Sequence, residues 1–553
     1  MSSSTVVQLP HQVTLDNFDE QYVADVLVVG GGPAGAWAAL AAARAGSNVI
    51  LADKGYFGTS GAQSPSGTGG YYIKPDDQQH RDAMINARAP MAFGLANEKW
   101  VEKVYDQSFI NQDLMSRWGY AFPKTEDGNK ERWGHLRPAD AVFFLRTQLE
   151  RYENVTILDH SPTLELLTSD GVVAGATGWN RRKGKSYIVR AGAVVLATGG
   201  TGFRSGIQGG HTNTGDGYLL AAEAGAHFSG MEFSSQWAIV PKGSASSKTA
   251  VYLSATMTDA NGQQVGRGKG STIAEIQTGK LFVKLDQFDE DGRQKMQASQ
   301  PMTFQYFKRH LRIDPFTESY ECEHLLEGTI RAAGGIEVGD GAATTVPGLF
   351  AAGDTTSREK LVGANQSGAG PATAWALASG SWAGHSATLF ARRYGARAAT
   401  RKLVAIGGAG LRPTEGYDAA LDPHAIIASI QEEVLPVAKF YRKDAAIMEP
   451  SLAKAERLWK QIRAGLAGDT RLRGADYARA VVRAREAASL IQTARLIFVS
   501  SLERKESRGL LRRADYPVMV ESELSHVITG GIDQIWVKRK PVSSNTQLEA
   551  KAS

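Results

Sequence analysis

The sequence predicts an α/β protein in which a doubly wound parallel sheet is interrupted by an α+β region and followed by a helical domain. Three observations predict this fold. An apolar run at 25–30 leads into a glycine-rich turn and an alanine-rich helix, and similar apolar runs return at 193–197 and 347–353. Three amphipathic stretches then follow between 423 and 504. Apolar runs that stop at glycine are typical of strands buried on both faces of a sheet.

The first elements follow in order from this pattern. Residues 25–30 predict a strand, 33–46 a helix with proline in its first turn, and 48–53 a second strand, which together form a βαβ unit. Short strands are expected at 155–158 and 164–167. The segments on either side of 181–184 predict an antiparallel ribbon whose basic turn is a solvated hairpin tip rather than a binding patch.

Composition shifts divide the chain. Residues 240–335 are more polar and rich in turn formers, which indicates an inserted region, and the end of the chain from 538 onward is polar enough to predict disorder. The predicted organisation is an N-terminal arm at 1–22, a first domain at 23–239 and 336–415, a capping and substrate domain at 240–335, a helical domain at 416–520 and a C-terminal extension at 521–553.

Composition also excludes several classes of function. The chain has 553 residues, and 62 Lys and Arg against 57 Asp and Glu leave a net charge of +5, too weak to predict a nucleic-acid partner. The single cysteine, Cys322, excludes an internal disulfide and a cysteine-ligated iron–sulfur cluster. The absence of a long apolar run and of a secretory signal predicts a cytoplasmic chain with no membrane span. A small-molecule substrate is expected, and a homo-oligomer or an electron-acceptor protein remains open as a partner.

A dinucleotide-binding motif lies between the first strand and the first helix. Gly30, Gly32 and Gly35 form the pattern Gly-x-Gly-x-x-Gly. The first glycine permits a tight turn, the second lets a pyrophosphate approach the backbone, and the third lets the helix pack against the strand. Asp53 follows Gly32 by 21 residues, at the position where an acidic side chain holds ribose hydroxyls. This predicts a Rossmann-like domain, but the motif alone does not choose between FAD and NAD.

Further segments resemble one group of flavoproteins. ATGG at 197–200 and GLFAAGDTTS at 348–357 resemble signatures of two-dinucleotide-type FAD-binding proteins. NTGDGYLLAAEAGA at 213–226, GMEFSSQW at 230–237 and ERKESRGLLRRADYP at 503–517 resemble segments of the fumarate reductase/succinate dehydrogenase flavoprotein superfamily. That superfamily includes L-aspartate oxidase and the flavin subunit of adenylylsulfate reductase. The small residues at 60–70 are most similar to the adenylylsulfate reductase branch.

The resemblance implies FAD as the cofactor, with the Asp354 carboxylate on its ribityl chain. Gln63 stands where the covalent enzymes have the histidine that bonds the flavin, and an amide is not a competent nucleophile, so we expect noncovalent FAD. The residues that the resemblance implies for FAD binding are Gly30, Gly32, Pro33, Ala34, Gly35, Asp53, Lys54, Ser60, Gly61, Ala62, Ala197, Thr198, Gly199, Asp216, Gly353, Asp354, Asn365, Ser367 and Ala372.

The substrate positions depart from the family pattern. In the superfamily's dicarboxylate enzymes, arginine and histidine side chains hold the substrate carboxylates and an arginine delivers the proton. The matching positions here are Trp237, a position near Val251, Ile330 and Gln366, all neutral. Desolvating a dicarboxylate without charged partners costs several kcal/mol. We therefore expect a substrate that is not a simple dicarboxylate and is larger or aromatic.

The candidate catalytic residues follow from the same alignment. Trp237, Tyr252 and Gln366 are expected to line the substrate pocket, and Arg331, next to the lost histidine position, is the candidate to supply a replacement charge. His211 precedes the NTGDG segment and is a candidate acid or base, although a plain surface histidine fits the sequence equally well.

These features predict an FAD-dependent oxidoreductase that moves a hydride between a substrate carbon and flavin N5. No second Gly-x-Gly-x-x-Gly motif is present to hold a nicotinamide cofactor. Two alternatives stay open at this point. One is a flavin-bearing electron-transfer subunit that acts with an iron–sulfur partner protein, and the other is a flavoprotein scaffold without catalysis.

Overall fold

The apolar runs of the sequence form the central sheet of the protein, here seen in a computed structural model. The structure describes residues 11–65, 68–122, 135–136, 140–247, 249–266, 279–365, 369–542 and 547–548. The strands in these residues are β1 (His11–Gln12), β2 (Glu20–Val29), β3 (Val49–Ala52), β4 (Thr68–Gly69), β5 (His135–Leu136), β6 (Val155–Leu158), β7 (Thr163–Ser169), β8 (Val172–Asn180), β9 (Lys185–Leu196), β10 (Phe228–Ser229), β11 (Gln236–Pro241), β12 (Thr256–Thr258), β13 (Leu281–Lys284), β14 (Tyr320–Gly328), β15 (Gly335–Ile336), β16 (Leu349–Ala351), β17 (Val404–Ala405), β18 (Ser525–Gly530) and β19 (Trp536–Pro541).

Helices cover both faces of this sheet and build the C-terminal part of the chain. The helices in the described residues are α1 (Pro33–Arg44), α2 (Gln78–Arg88), α3 (Glu98–Arg117), α4 (Asp140–Leu149), α5 (Asp216–Glu223), α6 (Glu290–Ser299), α7 (Pro301–Tyr306), α8 (Glu359–Val362), α9 (Ala369–Ala391), α10 (Pro423–Val434), α11 (Val437–Phe440), α12 (Ala445–Gly465) and α13 (Gly474–Glu503). Within the ranges the structure covers, none of these helices has the length and apolarity that a membrane crossing requires.

The main sheet has the strand order β1-β17-β7-β8-β9-β2-β3-β6, and β16 pairs with β9 outside this path. Strands β9, β2, β3 and β6 run parallel, with Val28 opposite both Leu51 of β3 and Val195 of β9. The predicted βαβ unit is confirmed, as is the antiparallel ribbon of β8 and β9. Because parallel strands end at the same edge, the loops after β2, β3, β9 and β16 meet there.

Small residues let the two principal helices, α1 and α9, pack closely against each other. A Cβ atom at Gly384 would lie 2.1 Å from the Ala38 carbonyl oxygen, and one at Gly380 would lie 2.4 Å from that of Ala34. The backbones of α1 and α9 therefore touch, which explains why both segments are rich in alanine and glycine.

The inserted region forms its own antiparallel sheet with the order β11-β14-β13-β12. Its apolar core includes Val251, Tyr252, Val283, Phe307 and Tyr320. The predicted fold class, an α/β sheet interrupted by an α+β region and followed by helices, is confirmed. The domain boundaries stay predictions.

The C-terminal end corrects one expectation. Disorder was predicted from 538 onward, yet β19 pairs antiparallel with β18 in the sheet β15-β10-β18-β19. Trp536 packs against Gly530, where an added Cβ would lie 2.3 Å from the indole ring. The basic residues that suggested disorder lie on an edge strand, where lysine is common because it discourages pairing with other chains. Residues 543–546 and 549–553 lie outside the described residues.

A buried ion pair ties this hairpin to the rest of the chain and makes its stability depend on pH. His526 Nδ1 lies 3.0 Å from Glu359 Oε2, which also accepts a hydrogen bond from Ser229 Oγ at 2.5 Å. Burial alone would lower the pKa of His526, and Lys360 and Lys540 act in the same direction, but the Glu359 carboxylate raises the pKa above 6.5 overall.

We therefore expect the contribution of His526 to the free energy of unfolding to be complete below pH 6.5 and to be lost as pH rises through the raised folded-state pKa. Denaturant midpoints measured at about pH 6 and about pH 9 should differ more for the unmodified protein than for His526→Gln. If the midpoint difference between the two pH values is the same in both proteins, His526 does not contribute to the pH dependence of stability.

Candidate active site

A cavity of about 650 Å³ lies where the parallel strands end. This volume falls within the range of about 300–1,000 Å³ that is usual for ligand sites. The residues of the predicted FAD set that line it are Gly30, Gly32, Pro33, Ala34, Asp53, Lys54, Ser60, Gly61, Ala62, Ala197, Thr198, Gly199, Asp216, Gly353, Asp354 and Ala372. The structure thus brings together residues from six separated parts of the chain: 30–34, 53–62, 197–199, 216, 353–354 and 372.

The glycine turn has the geometry that close phosphate approach requires. Gly30 has φ +106°, and a Cβ there would lie 2.4 Å from the Ala197 carbonyl oxygen. A Cβ at Gly35 would lie 1.8 Å from the Gly30 carbonyl oxygen, so this glycine sits behind the turn, outside the cavity lining. Gly32 differs, because the nearest atom to its Cβ would be Gly61 Cα at 4.0 Å. The open space therefore lies on the cavity side of Gly32.

Helix α1 begins at this turn without a side-chain cap, since Gly32 is its N-cap residue and Pro33 follows. Unpaired backbone N–H groups and the positive end of the helix dipole at such a terminus attract phosphate groups.

Asp53 connects the two walls of this end of the cavity. Its side chain is 4% exposed, and its carboxylate accepts hydrogen bonds from Gly31 N at 2.6 Å, Gly55 N at 2.7 Å and Ser60 Oγ at 2.6 Å. The carboxylate thereby holds the glycine turn and the loop after β3 in one arrangement.

Lys54 is the centre of a charge cluster that the sequence did not reveal. Its Nζ lies 2.9 Å from Asp216 Oδ2 and 2.6 Å from Glu486 Oε1, and Arg204 also pairs with Glu486. Burial would raise the pKa of Asp216, but Lys54 and a hydrogen bond from Thr214 hold that pKa below its ordinary value. Glu486 belongs to α13, so the C-terminal helix contributes directly to the cavity wall.

Asp354 follows β16 and also lines the cavity. The fully buried Arg358 contacts its carboxylate through Nη1 and donates from Nε to the Ala332 carbonyl oxygen at 2.9 Å. Thr198 and Thr355, which follow β9 and β16, lie within hydrogen-bonding distance of each other at 3.3 Å. No spacing rule marks Arg358 in the sequence.

The predicted catalytic residues divide into three groups. Arg331 and the exposed His211 line the cavity. Trp237 and Tyr252 are buried and are not among its lining residues, and Tyr252 instead packs in the core of the inserted sheet. Gln366 lies outside the described residues.

Two residues of the predicted FAD set and the basic turn at 181–184 remain to be placed. Ser367 also lies outside the described residues, and Asn365 is not among the residues that line the cavity. Arg181 lines the cavity, while Arg182 and Lys183 are exposed. The hairpin tip packs on the start of α13, where a Cβ at Gly184 would lie 2.2 Å from Ala475 N.

A family model described as FAD binding domain matches residues 25–371, and one described as fumarate reductase flavoprotein C-term matches residues 439–551. The chain is a flavoprotein of the fumarate reductase/succinate dehydrogenase family. The predicted family, the FAD cofactor and an FAD-dependent oxidoreductase activity are thereby confirmed.

Relatives of this flavoprotein match it over most of its length. An uncharacterised FAD-dependent oxidoreductase of Methanocaldococcus jannaschii is 24% identical over 93% of this chain and 97% of its own. The fumarate reductase flavoprotein subunit of Haemophilus influenzae is 25% identical over 89% of each chain. A solved structure of Escherichia coli quinol fumarate reductase has a TM-score of 0.78 at 20% identity, covering 95% of this chain and 97% of the other, which shows a shared fold.

The cavity fits FAD. The open side of Gly32 and the start of α1 suit a pyrophosphate, Asp53 suits a ribose, and Asp354 suits the ribityl hydroxyls. Bound there, FAD supplies an acceptor or donor of hydride.

Proposed function

We propose that this flavoprotein transfers a hydride between a substrate carbon and N5 of FAD, and that the substrate is larger and less charged than a simple dicarboxylate. The observation that carries this proposal is a wall of the cavity formed by Ile207, Gln208, Ile330 and Arg331, called here the cap wall. Its two isoleucines both pack against Gly210, where a Cβ would lie 2.6 Å from both Ile207 Cδ1 and Ile330 Cδ1.

The cap wall suits an apolar body with few polar groups. Two of its four members are isoleucine, and Gln208 donates from Nε2 to the Pro65 carbonyl oxygen at 3.1 Å. Arg331 is its one cation. In substrate oxidation, a carbon-bound hydrogen leaves as hydride and a proton leaves to water or to His211. Reduction reverses both transfers.

Anaerobic bleaching of the flavin band tests this proposal. We expect alcohols, ketones or aromatic compounds without a carboxylate pair to bleach the band, and succinate and aspartate to leave it unchanged. Arg331→Gln should slow bleaching by at least about tenfold while FAD stays bound, because it removes a donor from the cap wall. Arg182→Gln, an exposed basic residue of the hairpin tip, is the matched control.

Rapid bleaching of the flavin band by succinate or aspartate would contradict the proposed substrate class. Bleaching only after an iron–sulfur protein is added would instead support the electron-transfer subunit. If no compound reduces the oxidised flavin, and none reoxidises the flavin after photoreduction, the result would support a flavoprotein scaffold without catalysis.

We also propose that FAD is held noncovalently, since Gln63 lines the cavity at the position of covalent attachment. Acid precipitation should then release all of the yellow cofactor into the supernatant. A fluorescent flavin band that stays with the denatured chain on a gel would contradict this.

A further inference from the structure

A buried carboxylate stands directly behind the cap wall. Glu327, at the end of β14, has no exposed surface and is not among the residues that line the cavity. Its carboxylate forms an ion pair with the guanidinium of Arg331, four residues later. No sequence motif marks Glu327.

The turn that joins these two residues is held rigidly. Thr329 N donates to the Thr201 carbonyl oxygen at 2.9 Å, and Thr329 Oγ1 accepts from Thr201 N at 2.7 Å. Gly328 has φ +64°, and a Cβ there would lie 2.2 Å from the Thr201 carbonyl oxygen. The loop after β9 therefore fixes the position of Glu327 relative to the cavity.

Arg331 itself has a backbone conformation that is unusual for its residue type. Its φ of +59° lies in the left-handed region, which residues other than glycine seldom adopt. Conformations of this kind persist where the surroundings dictate them, often at ligand sites. The other acid near this guanidinium is Asp354, which is already paired with Arg358.

The charges at this end of the cavity thus cancel in pairs, Glu327 with Arg331 and Asp354 with Arg358. A substrate carboxylate that entered would have to compete with Glu327 for Arg331 while losing its own hydration. Burying an extra anion next to an already matched pair is unfavourable by several kcal/mol.

We propose that Glu327 is a specificity-determining residue that engages the charge of Arg331 and so excludes carboxylate ligands from the cavity. This inference rests on the proposed function for the location of the substrate. It predicts that the cap wall becomes an anion site once the Glu327 charge is removed, because the guanidinium then loses the carboxylate with which it is paired.

Succinate binding to the FAD-loaded protein, followed by the shift of the flavin band, tests the inference. Glu327→Gln should bind succinate at least about tenfold more tightly than the unmodified protein. Dimethyl succinate, which has the same skeleton without charge, should bind the two proteins equally. Glu323→Gln removes an acid from the same strand whose carboxylate accepts from Gly243 N, and it should leave succinate binding unchanged.

Equal succinate affinity in Glu327→Gln and in the unmodified protein would overturn the inference, as would equally tight binding in Glu323→Gln. A colourless protein would instead count against the FAD site. If no compound bleaches the flavin but Glu327→Gln still binds succinate more tightly than the unmodified protein, only the proposed reaction is contradicted.

A thermal double-mutant cycle covers the case in which Glu327→Gln folds poorly. Arg331→Gln leaves a buried carboxylate unpaired and should lower the unfolding midpoint, whereas the double variant with Glu327→Gln should recover most of the loss. Additive effects of the two substitutions would overturn the pairing on which the inference depends.

Discussion

Gly32→Val is expected to fold normally and to lose FAD. Gly32 has φ −72° and ψ −179°, a conformation that any residue adopts, and a Cβ there meets no protein atom nearer than 4.0 Å. The valine side chain would therefore occupy the space through which a pyrophosphate reaches the backbone. We expect FAD affinity to fall by at least about 100-fold, or about 2.7 kcal/mol.

Absorbance at the flavin band relative to protein absorbance measures this loss, and the unfolding midpoint without added FAD confirms the intact fold. Gly339→Val is a matched control, since Gly339 has φ −100°, equally open space and an exposed position away from the cavity. A Gly32→Val protein that stays fully yellow would refute the placement of the cofactor.

Arg504→Met is expected to cause a large loss of stability. Arg504 is fully buried after α13, with its Nη2 at 2.9 Å from Glu232 Oε1 and its Nη1 at 2.9 Å from Glu506 Oε1. Glu506 keeps a second partner, because Arg508 Nε lies 2.6 Å from the same oxygen. Glu232 has no exposed surface and would lose this ion pair, and breaking a buried ion pair by removing one partner costs about 3–5 kcal/mol.

Denaturant unfolding of the FAD-loaded protein measures this effect. Arg471→Met removes an arginine from an exposed ion pair with Asp469 and should leave the midpoint unchanged. Adding Glu232→Gln to Arg504→Met should restore part of the stability, because the unpaired charge is then gone. If Arg504→Met unfolds at the same midpoint as Arg471→Met, the buried ion pairs of Arg504 contribute little to stability.

The substrate side shows why sequence reasoning succeeded only in part. Trp237 aligned with a family pocket position, yet the pairing of β11 with β14 shifts register between Gln236 and Trp237. A one-residue shift turns a side chain to the opposite face of a sheet, so a residue-by-residue alignment cannot settle where Trp237 points. Tyr252 lies in the apolar core of the inserted sheet, a surrounding that no sequence motif records.

The sequence by itself determined the α/β fold class, the glycine turn, the acid after β3 and the family. These features depend on local backbone geometry and on residues close together in the chain, which short motifs record directly. Only the tertiary structure decided the partners of the charged groups: Lys54 with Glu486, Glu232 with Arg504, and the strand that brings His526 to Glu359. Such pairs join segments separated by more than 150 residues, and no spacing in a single sequence specifies which distant charges will be buried together.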